Sequence, residues 1–201
     1  LRDHRLSVAG RMRLRICFLA CSLLLAASLQ GCFPVVAAGV GTGVVLAQDR
    51  RSKDAFIEDQ RLETRVSNLI YKEFKGVMHV NVTSFNQKVL LTGEVPDEYT
   101  SIEIGKLVSS VEYVLGVNNE LSISANRSLA SRSNDSLITS NVKLRFLNNK
   151  DFSAEHIKVV TEGGTVFLLG IVNRAEADAA AGIASTTNGV QGVVKLFEYL
   201  D

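Results

Sequence analysis

The chain is written twice. Val89-Leu90-Leu91-Thr92-Gly93-Glu94-Val95 aligns with Val166-Phe167-Leu168-Leu169-Gly170-Ile171-Val172 at an offset of 77. Val80 and Val82 align with Ile157 and Val159 at the same offset. Asp59, Leu62, Val66 and Ile70 align with Asp135, Ile138, Val142 and Phe146 at 76, and Val114-x-Gly116-Val117 with Val190-x-Gly192-Val193 at 76. A duplicated unit of this length constrains the fold more than any composition does, because each copy must bury its own version of one core.

The order of elements follows from periodicity. Leu62, Val66, Leu69 and Ile70 fall on one helical face. A strand follows at about 78–84, with Val80 and Val82 alternating against polar neighbours. Asn86-Gln87 in the first copy and Gly163-Gly164 in the second turn the chain into another strand, and the glycine pair accommodates positive φ there. A helix over about 98–111 buries Ile104, Leu107, Val108 and Val111. In the second copy Asn173 and Glu176 form a capping box ahead of a stripe of Ala177, Ala180, Ala181 and Ala184. A last strand runs over 117–124 and 193–200. The predicted class is α+β: two αββαβ units, each a small mixed three-stranded sheet packed against two helices.

The start of the chain has a different grammar. Arg11, Arg13 and Arg15 precede an apolar run from Ile16 to Ala27, as in an export signal. That run is shorter than the ~20 residues a spanning helix needs. It closes on Leu29-Gln30-Gly31-Cys32, which resembles the lipobox of bacterial lipoproteins. The resemblance implies cleavage before Cys32 and lipidation of its thiol, including palmitate. It also implies that Phe33, which is not an Asp, directs the product to the outer membrane. Met12 is the expected start. The expected organisation is 1–31 for upstream residues and signal peptide, 32–53 for the lipidated Cys and an apolar tether, 54–124 and 135–201 for the two units, and 125–134 for a linker rich in Ser, Asn and Arg.

Charge and cysteine content exclude some classes. Of the 22 Lys and Arg and 21 Asp and Glu, five Arg and Asp3 lie before Cys32. The rest is mildly acidic, about −3, which disfavours nucleic acid as a partner. Cys17 and Cys21 fall in the signal, so no disulfide framework remains beyond it. Gly39, Gly41 and Gly43 lack the preceding strand and following Lys-Ser/Thr of a phosphate loop.

The helix starts at Asp59 and Asp135, the V-x-L-x-G-x-V strand and the Val-x-Gly-Val before the last strand are similar to the BON domain. Two such domains behind a lipobox and tether resemble the dual BON-domain outer-membrane lipoproteins of the DolP/YraP type, over nearly all of the chain after Cys32. The resemblance implies a lipid-anchored protein facing the periplasm, with BON domains that bind phospholipid and maintain envelope integrity.

No catalytic set is visible. His79 and His156 occupy equivalent positions without a neighbouring Cys, nucleophile elbow or carboxylate pair. They also lack the spacing of a zinc site. No enzyme activity, cofactor, metal or small-molecule substrate is expected.

The informative signal is a difference between the copies. The first helix of the first unit is charge-balanced. Its counterpart, read over 136–149, carries Lys143 and Arg145 without an acid, with Lys150 following, and adds Leu137, Leu144 and Leu147 to the core stripe of Ile138, Val142 and Phe146. Surplus apolar residues with only positive charge suit an anionic lipid surface. Each cation near such a surface contributes roughly 1 kcal/mol, which suffices for a protein already held by acyl chains. The family resemblance places the phospholipid contact on this helix, which carries over to Leu137, Val142, Lys143 and Leu147, with Leu144 and Arg145 as additional contacts. Completion of the core by these leucines, and an adaptor role toward an envelope assembly protein, are the competing readings. Finally, Phe167, Leu169 and Ile171 make the second strand of the second unit apolar on both faces, so both faces should be covered. The first unit, or a partner, is expected on that side.

Overall fold

The computed structural model describes residues 49–75, 79–125 and 127–200. The expected signal, Cys32 and most of the tether lie outside the described residues. Each unit has the predicted order. In the first, α1 (Lys53–Phe74) leads to the hairpin β1 (His79–Phe85) and β2 (Lys88–Val95), then α2 (Glu98–Ser109) and β3 (Gly116–Ile123). In the second, α3 (Leu129–Leu147) and a short 3-10 turn precede β4 (Ile157–Glu162) and β5 (Thr165–Val172), then α4 (Arg174–Ser185) and β6 (Gly192–Tyr199). β1 pairs with β2 antiparallel, and β3 joins β2 in parallel through the α2 crossover. β4, β5 and β6 repeat this.

The helices start earlier than periodicity indicates. Ser52 and Ser128 are the N-caps, and their side chains accept from the backbone N–H of Ala55 and Ser131. The first turns of α3 therefore occupy part of the segment expected to be a linker. Ser, Asn and Arg read as loop by composition, but a serine cap satisfies an otherwise orphaned amide and lets the helix begin there.

The duplicated aspartates are thus inside the helices, not at their starts. Asp59 accepts from the backbone N–H groups of Asn86 and Gln87, both at 2.8 Å, and from the Ser84 hydroxyl at 2.6 Å. Asp135 accepts from Gly163 and Gly164 at 2.9 and 2.8 Å. In both units one buried carboxylate ties the first helix to the hairpin turn. The turn residues Asn86, Gln87, Gly163 and Gly164 all have positive φ, which aims successive amides at the carboxylate.

Each sheet buries one face against its own helices. Val66, Ile70, Val89, Leu91, Val95, Ile104 and Val108 form the first core. Ile138, Val142, Phe146, Ile157, Val159, Val166, Leu168 and Val172 meet Ala177, Ala180 and Ala184 in the second. The glycine shared by the two copies of the strand motif has a steric cause within each unit. A Cβ on Gly93, whose φ is +118°, would overlap the carbonyl oxygen of His79, and one on Gly170 would crowd that of His156.

The two sheets meet through their second faces. Phe85 and Leu90 pack with Phe167 and Leu169, flanked by Val160, Ile171, Val194 and Leu196. The expectation that the first unit covers the apolar second face of β5 is met. Polar groups ring this contact. The Asn81 side-chain amide donates to Glu162 at 2.9 Å, that of Asn86 to Glu198 at 3.0 Å, and the Lys158 ammonium to Glu63 at 2.7 Å.

Candidate functional site

The helix singled out by sequence carries its core residues as expected and its surplus leucines outside. Ile138, Val142 and Phe146 are buried, whereas Leu137, Leu144 and Leu147 are 64, 57 and 63% exposed. At about 100° per residue, Leu144 lies some 200° round from Val142. These leucines therefore point away from the core and join neither it nor the apolar cluster between the two sheets. The helix has apolar groups on opposite sides, which is why its amphipathicity looks weak from sequence. In the first unit the same positions are Arg61, Asn68 and Tyr71, so the outward leucines belong to the second unit.

Two of the residues expected to touch lipid have structural partners within the second unit. Val142 is fully buried and serves the second core, so no ligand reaches it while α3 is folded as seen. Arg145 is exposed along its stem, but its guanidinium donates to the carbonyl of Ile183 and the hydroxyl of Thr187, both at 2.7 Å, and to the hydroxyl of Thr186 at 3.0 Å. It closes the C-terminus of α4, where the helix dipole favours a cation. Lys143 remains exposed beside Leu147.

Lys143 and Leu147 also line an open groove of about 410 Å³. Its other walls are Phe56 and Gln60 of α1, Phe85 of β1, and Ala154, Ile157 and Lys158 of the second unit. Sequence reasoning missed it because the two walls come from different units, and nothing in either copy alone signals their approach.

Arg51 also lines this groove. Its guanidinium donates to Asp59 at 2.7 Å and to Asp49 at 2.6 Å, and it sits 4.8 Å over the Phe56 ring and 4.3 Å over Phe85. Burial pushes Asp49 up, but the hydrogen bonds and charge of Arg51 outweigh it and leave the carboxyl below its ordinary value. The preceding Arg50 binds the other unit, donating to both carboxylate oxygens of Glu176. Asp49-Arg50-Arg51 thus fastens the entry of the chain to both units, next to the groove and the leucine face.

A second charged cluster lies at the contact between the sheets. Glu94 is fully buried, with the Arg127 Nε at 2.9 Å and the His79 Nδ1 at 3.5 Å. His79, Glu94 and Glu162 could offer ligand atoms within 4.8 Å of one another. Arg127 reaches Glu162 at 3.8 Å as well, so its own charge already compensates the two carboxylates. His156 lies 3.9 Å from Glu176, away from this cluster. Its setting differs from that of His79 despite the equivalent position.

Comparison with known proteins gives these sites a context. The BON domain family model matches residues 58–125 and 134–201. The chain belongs to the BON-domain family. It is 40% identical over 86% of its length to the Outer membrane lipoprotein DolP of Haemophilus influenzae, covering 91% of that protein. It is 36% identical over 76% of its length to the 21 kDa hemolysin of Actinobacillus pleuropneumoniae, covering 79% of that protein. A third relative, the Osmotically-inducible protein Y of Escherichia coli, is 28% identical over 69% of the chain and 71% of its own length. These matches make this BON-domain chain an outer-membrane lipoprotein with a role in the envelope.

Proposed function

We propose that this BON-domain lipoprotein engages anionic phospholipid at the periplasmic face of the outer membrane through α3 of its second domain, and that it maintains the envelope without catalysis. The observation that carries the reading is the outward stripe of Leu137, Leu144 and Leu147 beside Lys143. Burying large aliphatic groups at a headgroup boundary is favourable by about 25 cal/mol per Å² of apolar surface, and the neighbouring cation favours anionic lipid. The location of Asp49 supports it too. Fully extended, the chain from Cys32 to Asp49 spans at most roughly 60 Å, so the acyl anchor keeps α3 within reach of the bilayer at high effective concentration.

A protein adaptor reading retains the leucine face but loses its other surface. The apolar second face of β5 is covered by the first domain, so it offers nothing to a partner in this arrangement.

The test uses the unlipidated mature chain, Cys32→Ser, sedimented with vesicles of neutral or anionic phospholipid. The reading expects binding to anionic vesicles, weakening with salt, and at least tenfold loss in Leu144→Glu/Leu147→Glu. Equal sedimentation of that variant would move the contact elsewhere. Absence of binding at any composition would leave the leucine face to an envelope assembly protein, to be sought by crosslinking.

A further inference from the structure

The groove between α1 and α3 adjoins the leucine face and shares Lys143 and Leu147 with it. Its remaining walls are largely apolar: Phe56 and Phe85 from the first domain, and Ala154 and Ile157 from the second. We propose that this groove takes one acyl chain of an anionic phospholipid whose phosphate lies against Lys143. The inference rests on the lipid reading above and deepens it. The domains hold an individual lipid, partly withdrawn from the leaflet, and do not merely lie on the surface.

Three features commit the groove to this occupant. The first is shape and chemistry, an open trough with aromatic and aliphatic walls and a volume of about 410 Å³, within the range of sites that bury most of a small ligand. The second is charge. Three cations line the trough, but Arg51 is spent on Asp49 and Asp59, and Lys158 on Glu63. Lys143, which is exposed, is left for a phosphate. Glu155 also lines the groove and accepts from the Ser153 hydroxyl. Lys143 on α3 is therefore the cation that draws a headgroup, and Glu155 disfavours an acidic peptide running the length of the trough. The third is position. Arg51 fixes the chain that follows the anchor to the lining of the same trough, and at most roughly 60 Å of extended chain separates Cys32 from Asp49, so the trough stays within reach of the bilayer.

Both domains contribute walls, and this gives the first domain a part in binding that its own helix surface does not suggest. It also gives the contact between the sheets a functional consequence, since a shift of one domain against the other would open or close the trough.

The experiment is a titration of the isotope-labelled, unlipidated mature chain, Cys32→Ser, with dihexanoyl phosphatidylglycerol below its micelle concentration, followed by amide chemical shifts. Dihexanoyl phosphatidylcholine and inorganic phosphate serve as separate arms. The expected result is saturable shifts at Phe56, Gln60, Phe85 and Ala154 as well as at Lys143 and Leu147. They should be weaker for the neutral lipid and absent from the apolar walls with phosphate alone. Gln60→Trp, at an exposed position on the rim, fills the trough without touching either core. It should weaken monomer binding at least tenfold while anionic vesicles still sediment the protein. Shifts confined to the outward face of α3, unchanged binding in Gln60→Trp, or shifts that follow protein concentration without lipid would each overturn the groove assignment. The first two leave the surface reading standing. Loss of vesicle binding by the unsubstituted chain would remove both.

Discussion

Arg50 grips Glu176 with two parallel hydrogen bonds, 2.6 and 2.8 Å long, and donates a third at 2.9 Å to the carbonyl of Ile171. The two charges are 126 positions apart, and their pairing joins the segment that leaves the membrane anchor to the start of α4. Glu176 is also the N3 member of the α4 capping box, accepting from the Asn173 amide at 2.9 Å. One carboxylate therefore closes a helix and holds the anchor strap.

That dual role sets a pH dependence. The hydrogen bond from Arg50, against an opposing effect of burial, holds the Glu176 carboxyl below its ordinary value. A depressed carboxylate stabilises the fold above its unfolded pKa, and that stability is lost as pH falls through the folded one. Thermal denaturation should show stability falling below the ordinary glutamate range. The fall should be shallower in Glu176→Gln, and Arg50→Ala should cost about 1 kcal/mol at neutral pH, modest because the pair is partly solvated. An identical acid profile in Glu176→Gln would assign the effect to other carboxylates.

Arg127 is the main counter-charge of the fully buried Glu94. Removing one partner of such a pair leaves an uncompensated charge, a loss of about 3 kcal/mol. Urea denaturation of Arg127→Ala should show it. Arg127→Ala/Glu94→Gln should recover most of it, since a neutral amide costs less to bury. Additive losses in the double variant would mean that the two side chains do not interact.

Phe167 packs in the contact between the sheets and touches neither helical core. Phe167→Ala should destabilise by about 3 kcal/mol, and it should also uncouple the domains. NMR relaxation should then report faster tumbling for each domain, where the unsubstituted chain tumbles as one body. Independent tumbling of the unsubstituted chain would contradict the contact itself.

The two motif glycines are not equivalent. Gly93 combines a positive φ with the approach of the His79 carbonyl, while Gly170 has only the close approach. Gly93→Ala should therefore abolish folding of the first domain or cost more than about 3 kcal/mol, with Gly170→Ala milder. The reverse order of denaturation midpoints would refute the strain argument.

Much of this was legible in the sequence. The repeat gave the number of units, alternation gave the strands, and the double apolar face of Phe167, Leu169 and Ile171 anticipated the contact between the sheets. What was not legible has physical causes. The cap at Ser128 lies in a stretch whose composition reads as loop, so α3 begins before its apolar pattern does. The role of Asp59 depends on amides at Asn86 and Gln87, far along the chain. Val142 belongs to the core by its spacing from Ile138 and Phe146, and carrying a family contact onto it overrode that spacing. The groove has walls from two copies, and no single-unit pattern can encode it.

The most direct test of the lipid reading uses the fact that the chain has no Trp. In the unlipidated mature chain, Leu144→Trp places a single indole on the outward face of α3, and a separate variant, Tyr71→Trp, places one on the corresponding helix of the first domain. With anionic vesicles, the account predicts a blue shift of the indole emission in the Leu144→Trp variant and its quenching by brominated acyl chains, with the emission of the Tyr71→Trp variant unchanged. Emission from the Leu144→Trp variant that stays water-like while the protein sediments with the vesicles would contradict the claim that this face meets the bilayer.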